Sequence, residues 1–104
     1  MKRTILAALS VVSTFAVTMP AFADQALATA KNCMACHAVD KKVVGPSYQD
    51  VAKKYAGDKA AADKLAAKIV AGGTGVWGSI PMPANPQVSE AESKKLAAWV
   101  LSIK

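Results

Sequence analysis

The chain has 104 residues and a formal net charge of +6, with thirteen lysines and arginines against seven acids. All the basic residues are lysines except Arg3. Because arginine commonly reads bases and phosphates in nucleic acids, this composition argues against nucleic-acid recognition. The length allows one domain, whose polypeptide core would be marginal without further support.

The first residues have the pattern of an export signal. Met1-Lys2-Arg3 is positively charged, residues 5–19 are mostly apolar, and Ala21-Phe22-Ala23 is an A-x-A cleavage site. The apolar stretch is shorter than the roughly 20 residues that a membrane-spanning helix needs, and it contains hydroxyl side chains. We therefore expect residues 1–23 to be a cleaved signal peptide and residues 24–104 to be the mature domain, with no stable membrane insertion.

A first helix is predicted at residues 24–33, with Leu27, Ala30 and Met34 on one face. It leads into the segment Cys33-Met34-Ala35-Cys36-His37, in which two cysteines three apart are followed at once by a histidine. This spacing is typical of a c-type haem attachment site. We expect each thiol to form a thioether with one haem vinyl group, and His37 to donate an imidazole nitrogen to the iron.

Other uses of this segment fit the chain less well. A structural zinc site needs four ligands, whereas the chain has only two cysteines and one histidine. A thioredoxin-like motif needs a preceding buried strand, but the preceding residues are helix-like. A disulfide between Cys33 and Cys36 remains an alternative that leaves His37 unexplained. Haem attachment also favours the periplasm, because c-type haem is attached outside the cytoplasm. Free cysteine thiols in that compartment would otherwise be oxidised.

The segment after the motif is predicted to form a loop and two helices. Residues 39–46 end at a Gly-Pro break. A short helix should follow at residues 47–55, and a third should run from residue 58 or 59 to residue 71, before two glycines. The buried side of the third helix should consist of Ala62, Leu65, Ala66 and Ile69.

The last helix has the clearest start signal in the sequence. Ser89-Glu90-Ala91-Glu92 fits a capping box, and the helix should run to about Ile103. Leu96, Val100 and Ile103 should form its apolar face. Trp99 should be a core residue where the terminal helices cross.

Residues 72–88 are too rich in proline for a helix and too irregular for a pair of strands. Loops of this length are usually functional. An iron bound by His37 needs a sixth ligand or an open site, and Met82 is the remaining candidate. The chain has no second histidine, and the other methionines lie in the signal or in the attachment segment. Pro81 and Pro83 favour an extended presentation of the thioether, whereas an ordinary core methionine would fit this broken loop poorly.

These segments resemble the small bacterial class I monohaem cytochromes c of the cytochrome c-551 and c-552 group. The resemblance covers residues 24–104. It rests on CMACH at 33–37, VVGP at 43–46, GVWGSIPMP at 75–83, Asn85 and LAAWVLSIK at 96–104. It implies an all-α class I cytochrome c fold, with about four helices wrapped around one covalently attached haem c. His37 and Met82 would be the axial ligands of its iron.

The resemblance also implies roles for residues around the haem. Pro46 would offer its carbonyl to the second nitrogen of His37, and Asn85 would direct its amide towards the Met82 sulfur. Trp77 would donate its indole N–H to a haem propionate, because a buried tryptophan needs a partner.

Lys68 stands where some family members have an arginine. Pairing with a propionate and a solvent-facing position are both open for this lysine, because it lacks the planar fork of arginine.

The resemblance also implies that the protein is a monomeric one-electron carrier in a respiratory chain and not an enzyme. The mature chain keeps eleven lysines against seven acids, which suits weak docking on the acidic surface of a reductase, an oxidase or an upstream donor. A merely solvated surface is the alternative interpretation of the lysines. Two other functional classes remain: a five-coordinate haem protein that binds ligands or catalyses a reaction, and a haem-free thiol oxidoreductase.

Overall fold

The computed structural model describes residues 10–14 and 22–104. Four α-helices follow one another along the chain: α1 at Phe22–Ala30, α2 at Tyr48–Lys54, α3 at Ala61–Ala71 and α4 at Glu90–Ser102. One turn of 3-10 helix lies at Cys33–Ala35, and the described residues contain isolated β-bridges without strands. The prediction of an all-α fold with about four helices is confirmed.

α1 ends earlier than the sequence suggests. Asn32 adopts a left-handed conformation with φ of 64°, which stops the α-helix before the attachment segment. The tighter turn at Cys33–Ala35 follows it. Because of this break, the predicted helix over residues 24–33 and its face are partly wrong. Ala28 is fully buried, whereas Ala30 is exposed.

α3 begins later than predicted, because residues 58–60 form a turn. One carboxylate oxygen of Asp58 accepts from the Ala60 N–H at 2.9 Å, and the other contacts Lys64 Nζ at 2.9 Å. The buried side of the helix differs from the prediction only in its first residue. Ala61 is buried in place of Ala62, which is exposed. The expected burial of Ala66 is correct, and Leu65 and Ile69 are half-buried because they line a cavity.

α4 packs against each of the other three helices. Its predicted capping box is present: Ser89 Oγ accepts from the Glu92 N–H at 3.1 Å, and Glu92 Oε1 accepts from the Ser89 N–H at 3.0 Å. Leu96, Trp99 and Val100 are buried as predicted, and Ile103 is half-buried. The Trp99 ring lies edge-on to the Tyr48 ring of α2, with centroids 5.1 Å apart.

Most of the predicted signal peptide lies outside the described residues, since residues 1–9 and 15–21 are not among them. In the part of the chain that the structure describes, no helix has the length and apolar character needed to cross a membrane.

The capping box generates a prediction about pH. The hydrogen bond from the Ser89 N–H, and then that from Lys31, hold the pKa of Glu92 below its ordinary value. A carboxyl group whose pKa is lower in the folded state stabilises the fold above its unfolded pKa. This contribution is lost as the pH falls through the folded pKa. Glu92→Gln should therefore lower the free energy of unfolding at neutral pH, and the deficit relative to wild type should shrink in acid.

Chemical denaturation at a series of pH values measures this difference. Glu90→Gln is the matched control, since Glu90 makes an exposed ion pair with Lys94 and takes no part in the capping box. An equal deficit for Glu92→Gln at neutral and strongly acidic pH would contradict the role assigned to the carboxylate.

Candidate functional site

An apolar cavity of about 470 Å³ lies within the fold. Its volume falls in the range of cofactor sites. The lining comes from the attachment segment, the loop that follows it, helices α2, α3 and α4, and the loop before α4. The sequence-predicted residues that line it are Cys33, Cys36, His37, Pro46, Lys68, Trp77 and Met82. The fold thus brings these seven residues together, whereas Asn85, the remaining predicted site residue, is not part of the lining.

The attachment segment is wound so that its three reactive groups reach the same cavity. The carbonyl of Cys33 accepts hydrogen bonds from the N–H groups of Cys36 and His37, at 3.3 and 3.1 Å. Both cysteines are half-buried free thiols. Burial raises the pKa of the Cys33 thiol, which keeps it protonated at neutral pH. Two thiols and an imidazole on one short turn match the groups that a covalently bound haem requires.

The imidazole of His37 is held in one tautomer. Its Nδ1 lies 2.8 Å from the carbonyl oxygen of Pro46. Because a carbonyl can only accept, Nδ1 carries the proton and donates, which leaves the lone pair on Nε2 free for a metal. The contact between Pro46 and His37 that the resemblance implies is therefore present.

Met82 is held to the end of α3 by its backbone. Its N–H donates to the Gly73 carbonyl at 2.8 Å, and its carbonyl accepts from the Gly73 N–H at 3.0 Å. Next to this bridge, Gly72 has φ of 69°, and a Cβ there would lie 2.7 Å from the Ala84 nitrogen. Only glycine allows the methionine loop to approach α3 so closely. Sequence reasoning missed this role, because nothing local shows what Gly72 faces.

Asn85 is used differently from what the resemblance implies. Its backbone N–H donates to the Val70 carbonyl at 3.1 Å, and its side-chain Nδ2 donates to the carbonyls of Ile69 at 2.8 Å and Pro83 at 3.3 Å. The last carbonyls of a helix have no partner within the helix, and Asn85 supplies partners for those of α3. The amide thus donates to backbone carbonyls here, and its contact with the Met82 sulfur stays a prediction.

Gln87 is a second residue whose role the sequence did not indicate. Its Nε2 donates to the Asn85 side-chain oxygen at 3.1 Å and to the Lys31 carbonyl at 3.3 Å. In return, Lys31 Nζ donates to the Gln87 carbonyl at 3.1 Å and pairs with Glu92 at 3.2 Å. These contacts tie the methionine loop to the end of α1 and the start of α4.

Trp77 and two lysines lie around the cavity. Trp77 lines the cavity and is 43% exposed, and its hydrogen bond to a haem propionate stays a prediction. Lys54 Nζ lies 5.4 Å from the centroid of its ring, within cation–π distance. Lys68 is half-buried, lines the cavity and lies against Gly73. Lys68 is thus not fully solvent-facing, and its pairing with a propionate stays a prediction.

Comparisons with known proteins address the family directly. The sequence model of the family described as cytochrome c matches residues 24–104. The chain belongs to the cytochrome c family. It is 63% identical over 84 residues to cytochrome c-552 of Hydrogenobacter thermophilus, which covers 80% of this chain and 84% of that protein. It is 64% identical over 74 residues to cytochrome c-551 of Azotobacter vinelandii, covering 71% of this chain and 89% of that one.

The fold is also that of known family members. The crystal structure of wild-type Nitrosomonas europaea cytochrome c552 matches with a TM-score of 0.75 and 54% sequence identity, covering 77% of this chain and 99% of that one. The predictions of the c-551 and c-552 group and of the class I cytochrome c fold are confirmed. This cytochrome c carries haem c covalently through Cys33 and Cys36, and it is a small electron carrier.

Proposed function

We propose that this cytochrome c is a one-electron carrier of a periplasmic respiratory chain, with His37 Nε2 and Met82 Sδ as axial ligands of its iron. The observation that carries the proposal is the placement of an oriented imidazole and a thioether in one cavity, from two separate segments of the chain. Haem c, when bound, supplies an iron that accepts and releases one electron.

The residues around the cavity suit transfer of electrons without bond chemistry. His37 is oriented by Pro46, and Met82 is positioned by its backbone bridge to Gly73. The lining from α3 and α4 is largely apolar, which disfavours water in the site. Burial raises the pKa of Tyr48 well above its usual range. These features favour a carrier over an enzyme, since His37 and Met82 would together fill both axial positions of the iron and electron transfer requires no acid or base.

The periplasmic location is supported by the start of the chain. The predicted cleavage after Ala23 gives a mature protein that begins where the family match begins, at residue 24. Cleavage there would remove the first two residues of α1, which starts at Phe22. Haem attachment outside the cytoplasm then protects Cys33 and Cys36 from oxidation to a disulfide.

The docking face for redox partners would surround the cavity mouth. Val44, Val76, Trp77 and Ile80 are large apolar side chains in the lining of the cavity. Lys41 and Lys42 are exposed beside the attachment segment. An apolar contact surrounded by lysines suits a brief complex with a protein whose docking surface is acidic.

Lys31 and Lys94 are weaker candidates for this face than Lys41 and Lys42. Lys31 pairs with Glu92 at 3.2 Å, and Lys94 pairs with Glu90 at 3.3 Å. Because an acid already neutralises each of them, their attraction to an acidic partner is reduced.

Substitution of the sixth ligand tests the coordination. Met82→Ala should leave the haem attached, because the thioethers are untouched, but the ferric protein should lose its sulfur-to-iron charge-transfer band. The reduced protein should then bind carbon monoxide. The reduction potential should fall by a fraction of the roughly 0.8 V range that axial ligands span.

Met34→Ala is the matched control, since Met34 is half-buried within the attachment segment. It should retain the band and exclude carbon monoxide. If Met82→Ala has the spectrum and potential of wild type, Met82 is not the ligand. A separate outcome, immediate binding of carbon monoxide by the reduced wild-type protein, would favour the five-coordinate alternative.

Charge reversal tests the docking face. Lys41→Glu combined with Lys42→Glu should slow electron transfer to the physiological partner by about tenfold or more at low salt, because electrostatic steering governs encounter. The potential should hardly change. Raising the ionic strength should slow the wild-type protein and reduce the difference between the two.

Lys94→Glu combined with Lys95→Glu makes the same change in net charge on α4, at positions that do not line the cavity. Its effect should be much smaller. Equal slowing by both pairs would indicate a general charge effect, and rates that ignore salt and all four substitutions would indicate a mainly apolar contact.

A further inference from the structure

We propose that Gly45 and Tyr48 are positioning residues that hold the plane of the His37 imidazole, and so fix the orientation in which the ring meets the iron. This inference rests on the proposed ligation by His37. Neither residue supplies a ligand: each acts only through the ring.

A hydrogen bond to Pro46 is not sufficient to fix the ring. The bond between Nδ1 and the Pro46 carbonyl, at 2.8 Å, sets the direction of one ring nitrogen. Coupled changes in the two side-chain torsions of His37 would still tilt the ring plane while this hydrogen bond is kept. A restraint on the ring plane therefore has to come from groups that contact its face.

Gly45 contacts the face of the imidazole. A Cβ built on Gly45 would lie 2.8 Å from Nδ1 and 3.0 Å from Nε2, and closer still to Cε1 between them. Similar distances to three adjacent ring atoms place Gly45 over the ring rather than at its edge. Such separations are far below van der Waals contact, so any side chain here would displace the imidazole. Gly45 is not among the glycines with positive φ, so alanine would suit its backbone.

Tyr48 provides a nearly parallel surface. Its ring and the imidazole are stacked, with centroids 5.3 Å apart and an angle of 23° between the planes. Tyr48 is only 5% exposed, and its own ring is held edge-on by Trp99 at 5.1 Å. Because the tyrosine cannot turn away, it resists tilting of the imidazole.

Both residues are anchored to the backbone on either side of His37. The Gly45 N–H donates to the Cys36 carbonyl at 2.7 Å, and the Tyr48 N–H donates to the Ala38 carbonyl at 2.9 Å. The ring and its two neighbours therefore form one short, hydrogen-bonded unit. Displacement of the ring requires deformation of that unit rather than rotation of one side chain.

The chain contains a single histidine, so isotope-labelled histidine reports on His37 alone. The ferric haem-loaded protein gives two independent NMR readouts. Paramagnetically shifted histidine resonances test whether His37 is the ligand, and the pattern of haem methyl shifts tests the orientation of the ligand plane. Unshifted histidine signals in the wild-type protein would overturn the ligation itself, which distinguishes that failure from failure of this inference.

Gly45→Ala should change the order or spread of the haem methyl shifts while the histidine stays bound. Gly57→Ala is its control, because Gly57 has φ of 80° and nothing within 4 Å of a built Cβ. It adds backbone strain without touching the ring, and should lower stability with a wild-type shift pattern. Tyr48→Leu should alter the pattern, whereas Tyr48→Phe, which keeps the ring, should preserve it.

The tyrosine pair decides the question even if Gly45→Ala does not fold. Altered patterns confined to Gly45→Ala and Tyr48→Leu support the inference. A wild-type pattern in a folded Gly45→Ala or in Tyr48→Leu removes that residue from the role, and wild-type patterns in both overturn the inference. Equal changes in Tyr48→Phe and Tyr48→Leu would show that the tyrosine ring is not what orients the imidazole.

Discussion

The apolar cavity of about 470 Å³ is the constraint on which the rest of this fold depends. Protein interiors are close-packed, and an empty space of this size is costly to their stability. The polypeptide has little else with which to build a core. Within residues 10–14 and 22–104, five of the buried apolar residues are alanines, which contribute little transfer free energy: Ala28, Ala52, Ala61, Ala66 and Ala97. The covalent haem of the family is therefore part of the core as well as the redox centre.

The need to hold a haem in this cavity explains why the two irregular segments that contain His37 and Met82 are fixed by many hydrogen bonds. His37 lies in a segment that its own backbone and Pro46 hold in place. Met82 is joined to the end of α3, and its loop is joined through Gln87 to the end of α1. Simultaneous ligation of the iron by these two residues would close a long loop of chain, which favours ordering both segments in advance.

Residues with direct chemical roles were the most predictable part of the site. Two thiols and a histidine at this spacing match few kinds of site besides haem attachment. Met82 was predicted as the sixth ligand because the chain has so few other candidates, and it lines the same cavity as His37. Helix boundaries were less predictable where a side chain competed with the helix, as at Asp58, or where one residue left the α conformation, as at Asn32. These choices depend on local energies that sequence periodicity does not resolve.

Residues that act through close approach could not be identified from the sequence. Gly45 has an ordinary backbone conformation, and its importance comes entirely from the ring of His37 lying above it. Asn85 also supplies partners for the last carbonyls of α3, a role that its place in the sequence did not indicate. Such roles are set by tertiary neighbours, which one sequence does not reveal.

The claim that the fold is incomplete without its haem is tested most directly by the haem-free chain. Cys33→Ala combined with Cys36→Ala removes the attachment, and circular dichroism during thermal unfolding measures what remains. This account predicts little helix and no cooperative transition, because the central cavity then has nothing to fill it. A cooperative transition with the helix content and midpoint of the haem-loaded protein would show that the polypeptide core suffices alone, and would contradict the account.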